Sequence, residues 1–311
     1  MSRLQVQESL LPADEFQCTG RDYTLMATEP ISLRESQVIN VASVPHRSPF
    51  RYPGGKTWLV PRIRQWLKSL NPRPFELAEP FAGGAIVGLS ALFEDLVHKV
   101  VLVEKDEDVA SVWEVVINGQ ARRLAQTIAG FDFNDETVRA ALAEQPTTIF
   151  ERAFATILRN RVQRGGILAP GASFLKKGEN GRGIASRWYP NTLRKRIEAI
   201  LHTRQDISFI RGDGIEFIRY NAHRADTVFF IDPPYTLAGR RLYKHSELDH
   251  RELFRVASGI RGDFLMTYDN ANEIRKLATE FGFQTGLVPM KNTHHEIMNE
   301  LLVGRNLEWL T

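Results

Sequence analysis

Val228-Phe229-Phe230-Ile231-Asp232-Pro233-Pro234-Tyr235 is the stretch that decides how the rest of this 311-residue chain is read. Its first four residues are apolar, β-branched or aromatic, which predicts a buried strand. The two prolines cannot donate to a sheet ladder, so the strand must stop there. A carboxylate, free carbonyls and an aromatic ring then stand at the carboxyl edge of a sheet, where open α/β sheets bind ligands. Together they suit a planar base that carries an amino group.

The sequence on either side supports a parallel sheet. Residues 56–70 read as a helix, with Trp58, Leu59, Ile63, Trp66, Leu67 and Leu70 at helical spacing between Gly54-Gly55 and Pro72. A short strand, 75–79, meets a glycine turn, 80–85, which opens a helix, 86–93. A second strand, 99–103, ends at Glu104, and a long helix over about 107–129 follows. After residue 205 the alternation resumes. Strands are expected at 207–210, ending near Asp213, at 228–231 and at 263–268. A helix at 273–280 and a hairpin of 285–291 with 296–303 close the chain. Alternation of this kind implies an α/β fold with a parallel sheet. Residues 1–48 show no sustained period and read as an N-terminal arm without an assigned role.

Residues 150–205 interrupt the pattern. Phe150, Phe154, Ile157 and Leu158 form a helical stripe, and Arg161 falls near its apolar side. A buried ion pair, a frayed helix end or a reach into a cleft would each account for that arginine. Residues 165–190 contain six glycines and read as a loop or ribbon. From 151 to 205 there are 12 Lys or Arg and 3 acids, so this segment is +9 while the whole chain is +3. A basic block on a mildly acidic body is the charge footprint of a phosphate-bearing partner, although a solvated face would look the same.

Composition narrows the classes. At 43% hydrophobic residues the chain can bury a large core. No apolar run reaches the roughly 20 residues of a membrane helix, and the N-terminus reads as no signal peptide. Cys18 is the one cysteine, which excludes an internal disulfide and a Cys-rich zinc site and suits a cytoplasmic protein. His245, His250, His294 and His295 lack metal-ligand spacing and read as surface or loop residues, so no metal is expected.

The turn Phe81-Ala82-Gly83-Gly84 lets backbone approach a ligand and starts a helix whose N-terminus favours a carboxylate or phosphate. Glu104, 21 residues beyond Gly83, stands where an acid accepts the hydroxyls of a ribose. No Lys-Ser/Thr phosphate loop is present, so an ATPase is not indicated.

Three motifs occur in order: Arg51-Tyr52-Pro53-Gly54-Gly55-Lys56, Glu79-Pro80-Phe81-Ala82-Gly83-Gly84 and Asp232-Pro233-Pro234-Tyr235. In this they resemble the D12 class of adenine-specific DNA methyltransferases, which includes the Dam methylases; the likeness spans about residues 49–305. It implies a Rossmann-like α/β, S-adenosylmethionine-dependent enzyme that forms N6-methyladenine in double-stranded DNA, by direct in-line transfer to a flipped adenine. Residues 49–149 and 206–311 would form the catalytic domain, with 150–205 an inserted, mostly helical and loop, target-recognition region. Tyr52, Lys56, Phe81, Gly83, Glu104 and Asp213 would bind the cofactor, Lys56 near its methionine end. For Asp213 a plain turn residue is an equal alternative. Asp232, Pro233, Pro234 and Tyr235 would hold the target base, with Tyr235 stacking on it.

Asn160-Arg161 matches a family pair at the start of the recognition region. Arg164, Lys176, Lys177 and Arg187 would join that pair on DNA, mainly at phosphates. Residues 162–166 depart from the pattern of GATC enzymes, so the target sequence stays open, as does a companion restriction endonuclease. Trp188-Tyr189 could stack on DNA or pack the insert onto the body. Rival readings are methylation of cytosine N4 or of adenine in RNA, methylation of a glutamine amide, and a DNA-binding regulator that keeps the fold without catalysis. Methylation at cytosine C5 is disfavoured, because Cys18 lies far from every motif.

Overall fold

The computed structural model describes residues 30–32, 44–51, 54–168, 171–176, 181–234, 248–291 and 297–310. Its strands are β1 (Ile31–Ser32), β2 (Glu76–Glu79), β3 (Lys99–Glu104), β4 (Ile207–Arg211), β5 (Thr227–Ile231), β6 (Phe264–Asp269), β7 (Gln284–Lys291) and β8 (Ile297–Gly304). They form one sheet in the order β1-β7-β8-β6-β5-β2-β3-β4. β8 is antiparallel to β6 and β7, and the other neighbouring pairs are parallel. From β2 the sheet grows through β3 to β4, then returns to β5 on the other side of β2. This is the Rossmann-like α/β topology expected from the sequence, and β2/β5 is its switch point.

The helices are α1 (Val60–Ser69), α2 (Ile86–Phe93), α3 (Glu107–Ile117), α4 (Ala121–Gly130), α5 (Asp135–Ala143), α6 (Ile149–Val162), α7 (Pro190–Thr203), α8 (Gly214–Asn221), α9 (His250–Ser258) and α10 (Asn272–Glu280). They cover both faces of the sheet. Strand residues alternate between the two cores, as a period of two requires. On β5, Val228 and Phe230 enter the core shared with α1, α2, α3, α4, α6 and α7. Phe229 and Ile231 enter the core under α8, α9 and α10. With every β5 residue buried, the strand has no polar face to show, hence its unbroken apolar sequence.

Three sequence expectations change in detail. The long helix over 107–129 is two helices, divided at Gly119, whose φ of 99° no helix accommodates. Part of the N-terminal arm joins the body: Ile31 and Ser32 pair with Gly286 and Leu287 at the sheet edge, and Val44 and Ser48 are buried. Residues 150–205 also begin and end inside the body. Ala153, Ile157 and Leu158 of α6, and Leu193, Ile197 and Ile200 of α7, lie in the same core as α3 and α4. Between them the chain folds back as a short antiparallel ribbon. Arg164 N donates to Ser173 O at 2.9 Å and Leu175 N to Val162 O at 2.9 Å.

Candidate active site

The parallel strands end with their carboxyl termini on one edge, and that edge carries the acids. Asp232 follows β5 directly, beside the switch point. The Lys56 ammonium lies 2.8 Å from Asp232 Oδ1 and donates to Oδ2 at 2.9 Å. It also donates to the Gly54 carbonyl at 2.9 Å and sits 3.3 Å from Glu300 Oε1 of β8. Thr267 of β6 donates its hydroxyl to Asp232 Oδ1 at 2.7 Å. Burial alone would lower the Lys56 pKa, but Asp232 and Glu300 raise it above its ordinary value, so the ammonium stays charged. Its three hydrogens have acceptors in Gly54, Asp232 and Glu300. Lys56 is therefore held between Gly54, Asp232 and Glu300.

The neighbouring turn is built from β2, α2, β3 and α3. Gly83 has a φ of 46° and Ala85 of 50°. The Gly83 amide donates to Glu104 Oε2 at 2.9 Å, and its carbonyl accepts from the Trp113 indole at 2.9 Å. Glu104 Oε1 accepts from the amides of Lys105 and Asp106, each at 2.8 Å. Burial raises the Glu104 pKa to about 7 against those hydrogen bonds. Glu79, at the end of β2, is buried and accepts from the Gly88 amide inside α2. Burial, with Asp232 nearby, raises its pKa to about 8. A Cβ on Gly88 would stand 2.5 Å from Glu79 Oε1, so only glycine admits this contact.

Asp213 caps α8. Its Oδ1 accepts from Ile215 N at 2.9 Å and Glu216 N at 3.3 Å, and its Oδ2 pairs with Lys105 at 3.0 Å. Burial would raise its pKa, but Lys105 and the two amides lower it. The turn reading is thus met by geometry, at a position that also lies on the ligand-facing edge. Phe81 packs partly buried beneath α8, close enough that a Cβ on Gly214 would meet its ring at 3.0 Å.

The site thus brings together Lys56, Phe81, Gly83, Glu104, Asp213 and Asp232, with Pro233 and Pro234 following the strand. Tyr52, Tyr235, Lys177, His245, His294 and His295 lie outside the described residues. Asn160 is fully buried. Its amide accepts from Arg51 N at 2.8 Å and donates to Arg51 O at 2.9 Å and Gly166 O at 2.8 Å. Arg161 is buried and donates to the Pro49 carbonyl. Burial beside Arg196, Arg51 and Arg187 lowers its pKa to about 9. Both side chains are engaged inside the protein. Both tie α6 to the segment that leads into Lys56.

Arg164 and Lys176 are exposed on the ribbon, and Arg187 is partly exposed. Trp188 packs at 4.7 Å against Phe133, whereas Tyr189 is exposed. His250 meets the Tyr268 hydroxyl at 3.1 Å. Among the described residues no group of His, Cys, Asp and Glu has metal-binding geometry, and no helix is long and apolar enough to cross a membrane.

Sequence reading gave no role to Thr267 or Glu300. Each was visible as a polar residue inside an apolar strand, in Phe264-Leu265-Met266-Thr267-Tyr268 and Glu300-Leu301-Leu302-Val303.

Comparison with known proteins addresses the same edge. Over residues 52–145 the chain matches the D12 class of N6 adenine-specific DNA methyltransferases. The D12 match covers Lys56, the 79–84 turn and Glu104, and ends before Asp232. It supports a methyltransferase and, with the fold, implies S-adenosylmethionine as methyl donor. No curated protein matches the chain.

Solved structures with similar folds include a Pyrococcus horikoshii protein proposed to be an RNA methyltransferase, at 13% identity and TM-score 0.39, covering 86% of this chain and 92% of that one. The rRNA methyltransferase aviRa from Streptomyces viridochromogenes matches at 13% identity and TM-score 0.34, covering 79% and 82%. Precorrin-6y C5,15-methyltransferase from Geobacter metallireducens matches at 8% identity and TM-score 0.35, covering 88% and 95%.

The residues at the edge fit such a donor. α2 starts at Ala85 without a side-chain cap, so its first turn can meet a carboxylate. Glu104 Oε2, which accepts from the Gly83 amide, keeps one acceptor site for a hydroxyl. Glu79 is a buried carboxyl at the same edge.

Proposed function

We infer that this protein is a site-specific methyltransferase that acts on the N6 amine of an adenine turned out of double-stranded DNA. The observation that carries the reading is Asp232. It is a carboxylate at the switch point, oriented by Lys56 and Thr267, beside the turn that falls in the D12 match. S-adenosylmethionine, when bound, supplies a methyl group on a cationic sulfur. The α2 N-terminus would hold its carboxylate, Glu79 its ammonium, Glu104 its ribose hydroxyls, and Phe81 and Asp213 the purine end.

Asp232 and the Pro233 carbonyl then act on the target. An exocyclic amine is a weak nucleophile because its lone pair is delocalised into the ring. Two acceptors on its hydrogens favour a pyramidal nitrogen and stabilise the positive charge that develops there. The rest is positioning. The nitrogen gains the methyl carbon and loses one proton, and Asp232 is the acceptor beside it. Turning the base out costs a few kcal/mol, least where the base is already unpaired. Tyr235 is assigned to stacking on the base, worth about 1–3 kcal/mol.

DNA contact is assigned to Arg164 and Lys176 of the ribbon and to Arg187, with Lys177 assigned there from sequence. Asn160 and Arg161 hold the ribbon's helix. The test is a labelled-methyl assay on duplex DNA with Asp232→Ala. Transfer should fall to background while DNA binding, read by anisotropy, is retained. Transfer at the wild-type rate would refute the reading.

A further inference from the structure

We propose that Thr267 and Glu300 are positioning residues for this reaction, and that they direct the target amine to one oxygen of Asp232. The inference rests on the adenine reading above and adds the residues that set its geometry. Asp232 Oδ1 accepts the Thr267 hydroxyl at 2.7 Å and faces the Lys56 ammonium at 2.8 Å. A carboxylate oxygen has two lone-pair sites, so Oδ1 is filled. Oδ2 faces Lys56 at 2.9 Å and has no second donor among the described residues. It keeps one acceptor site, and the amine is directed to it.

The fold sets this arrangement. β5 and β6 are parallel neighbours with Ile231 opposite Met266, so the next residues, Asp232 and Thr267, meet across the strands. β8 lies on the far side of β6 and brings in Glu300, paired in register with Asp269. Glu300 lies 3.3 Å from the Lys56 ammonium. Thr267 is fully buried. In the ion cluster, Asp232 is 24% exposed, against 3% for Lys56 and 9% for Glu300. The cluster therefore opens outward only at the group that meets the substrate.

Among the described residues, the charged and titratable groups facing Lys56 and Asp232 are Glu300, Glu79 and Tyr268, with Asp269 one residue further. Burial first, with Asp232 and Asp269 adding, raises the Tyr268 hydroxyl well above its ordinary value. Tyr268 is thus neutral and competes for no proton.

The experiment is steady-state kinetics of methyl transfer to duplex DNA with wild type, Thr267→Val, Thr267→Ser and Glu300→Gln. Loss of one hydrogen bond to a charged acceptor should cost Thr267→Val ten- to hundredfold in kcat. KM for DNA and the cofactor dissociation constant should stay within about twofold, because Thr267 would touch neither ligand. Thr267→Ser keeps the hydroxyl and should recover most of kcat. Glu300→Gln keeps an acceptor but removes a charge, and should lower kcat severalfold with unchanged DNA binding.

A Thr267→Val enzyme with wild-type kcat, or a Thr267→Ser enzyme as slow as Thr267→Val, would overturn the positioning role while leaving the adenine reading intact. A wild-type enzyme that methylates no adenine would overturn both. Thermal unfolding of each variant separates a lost fold from a lost contact.

Discussion

Replacing Glu79 with Gln should remove a specific part of the pH dependence of stability. Glu79 has a native pKa of about 8 against an ordinary 4.5. A raised carboxyl pKa means that the native state holds the proton more tightly than the unfolded chain. Its stabilisation is then complete below the unfolded pKa, and is lost as pH rises through the folded one. From pH 6 to pH 8 the linkage relation gives a loss of about 2 kcal/mol from Glu79 alone. Glu104, raised to about 7 by burial, adds about 1 kcal/mol over the same range. Wild type should therefore lose about 3 kcal/mol of unfolding free energy between pH 6 and pH 8, and Glu79→Gln only about 1 kcal/mol. Urea titrations at half-unit pH steps measure this, with the wild-type-minus-variant difference cancelling groups common to both. Parallel curves for the two proteins would refute the reasoning, because they would mean that Glu79 ionises alike folded and unfolded. The same proton links to function. If Glu79 meets a cofactor ammonium, binding should release a proton below pH 8, seen by calorimetry in buffers of different ionisation enthalpy.

Asn160→Ala should cost about 2–4 kcal/mol in urea unfolding, since Arg51 N–H, Arg51 C=O and Gly166 C=O all lose a buried partner; a loss below about 0.5 kcal/mol would show that the clamp is not formed. Gly166→Ala should disturb the same junction, because a Cβ there would lie 2.3 Å from the Arg51 carbonyl at a φ of 74°; a wild-type melting temperature would count against the packing described. Arg164→Gln with Lys176→Gln should flatten the dependence of log DNA affinity on log salt by about 2, at about 0.9 per phosphate contact; an unchanged slope would take the ribbon off the DNA.

Much of the sheet was legible because a strand buried on both faces has a plain signature. β5 carries no polar residue after Thr227, and Asp232-Pro233-Pro234 both ends it and supplies its chemistry. Glu104 could be found from strand–helix spacing alone. The break between α3 and α4 was also written in the chain, as Asn118-Gly119, but apolar residues on both sides keep a helical period and conceal it. The roles of Asn160 and Arg161 were not legible. Their partners, Arg51 and Pro49, lie more than a hundred residues earlier, and local sequence does not reveal which backbone a buried amide or guanidinium will meet. Thr267 was hidden for a similar reason: its polarity was visible, but the carboxylate it serves comes from a neighbouring strand. Charge gave the basic character of 151–205 correctly, yet could not tell a buried arginine from an exposed one, and only the exposed ones can meet phosphate.

The most direct test of the central claim is to identify the methylated nucleoside. Duplex DNA of mixed sequence is incubated with the purified chain and S-adenosylmethionine labelled on its methyl group, then digested and separated. The account predicts that the label runs with N6-methyldeoxyadenosine and disappears with Asp232→Ala. Label in N4-methyldeoxycytidine, in protein, or in no product at all would contradict it.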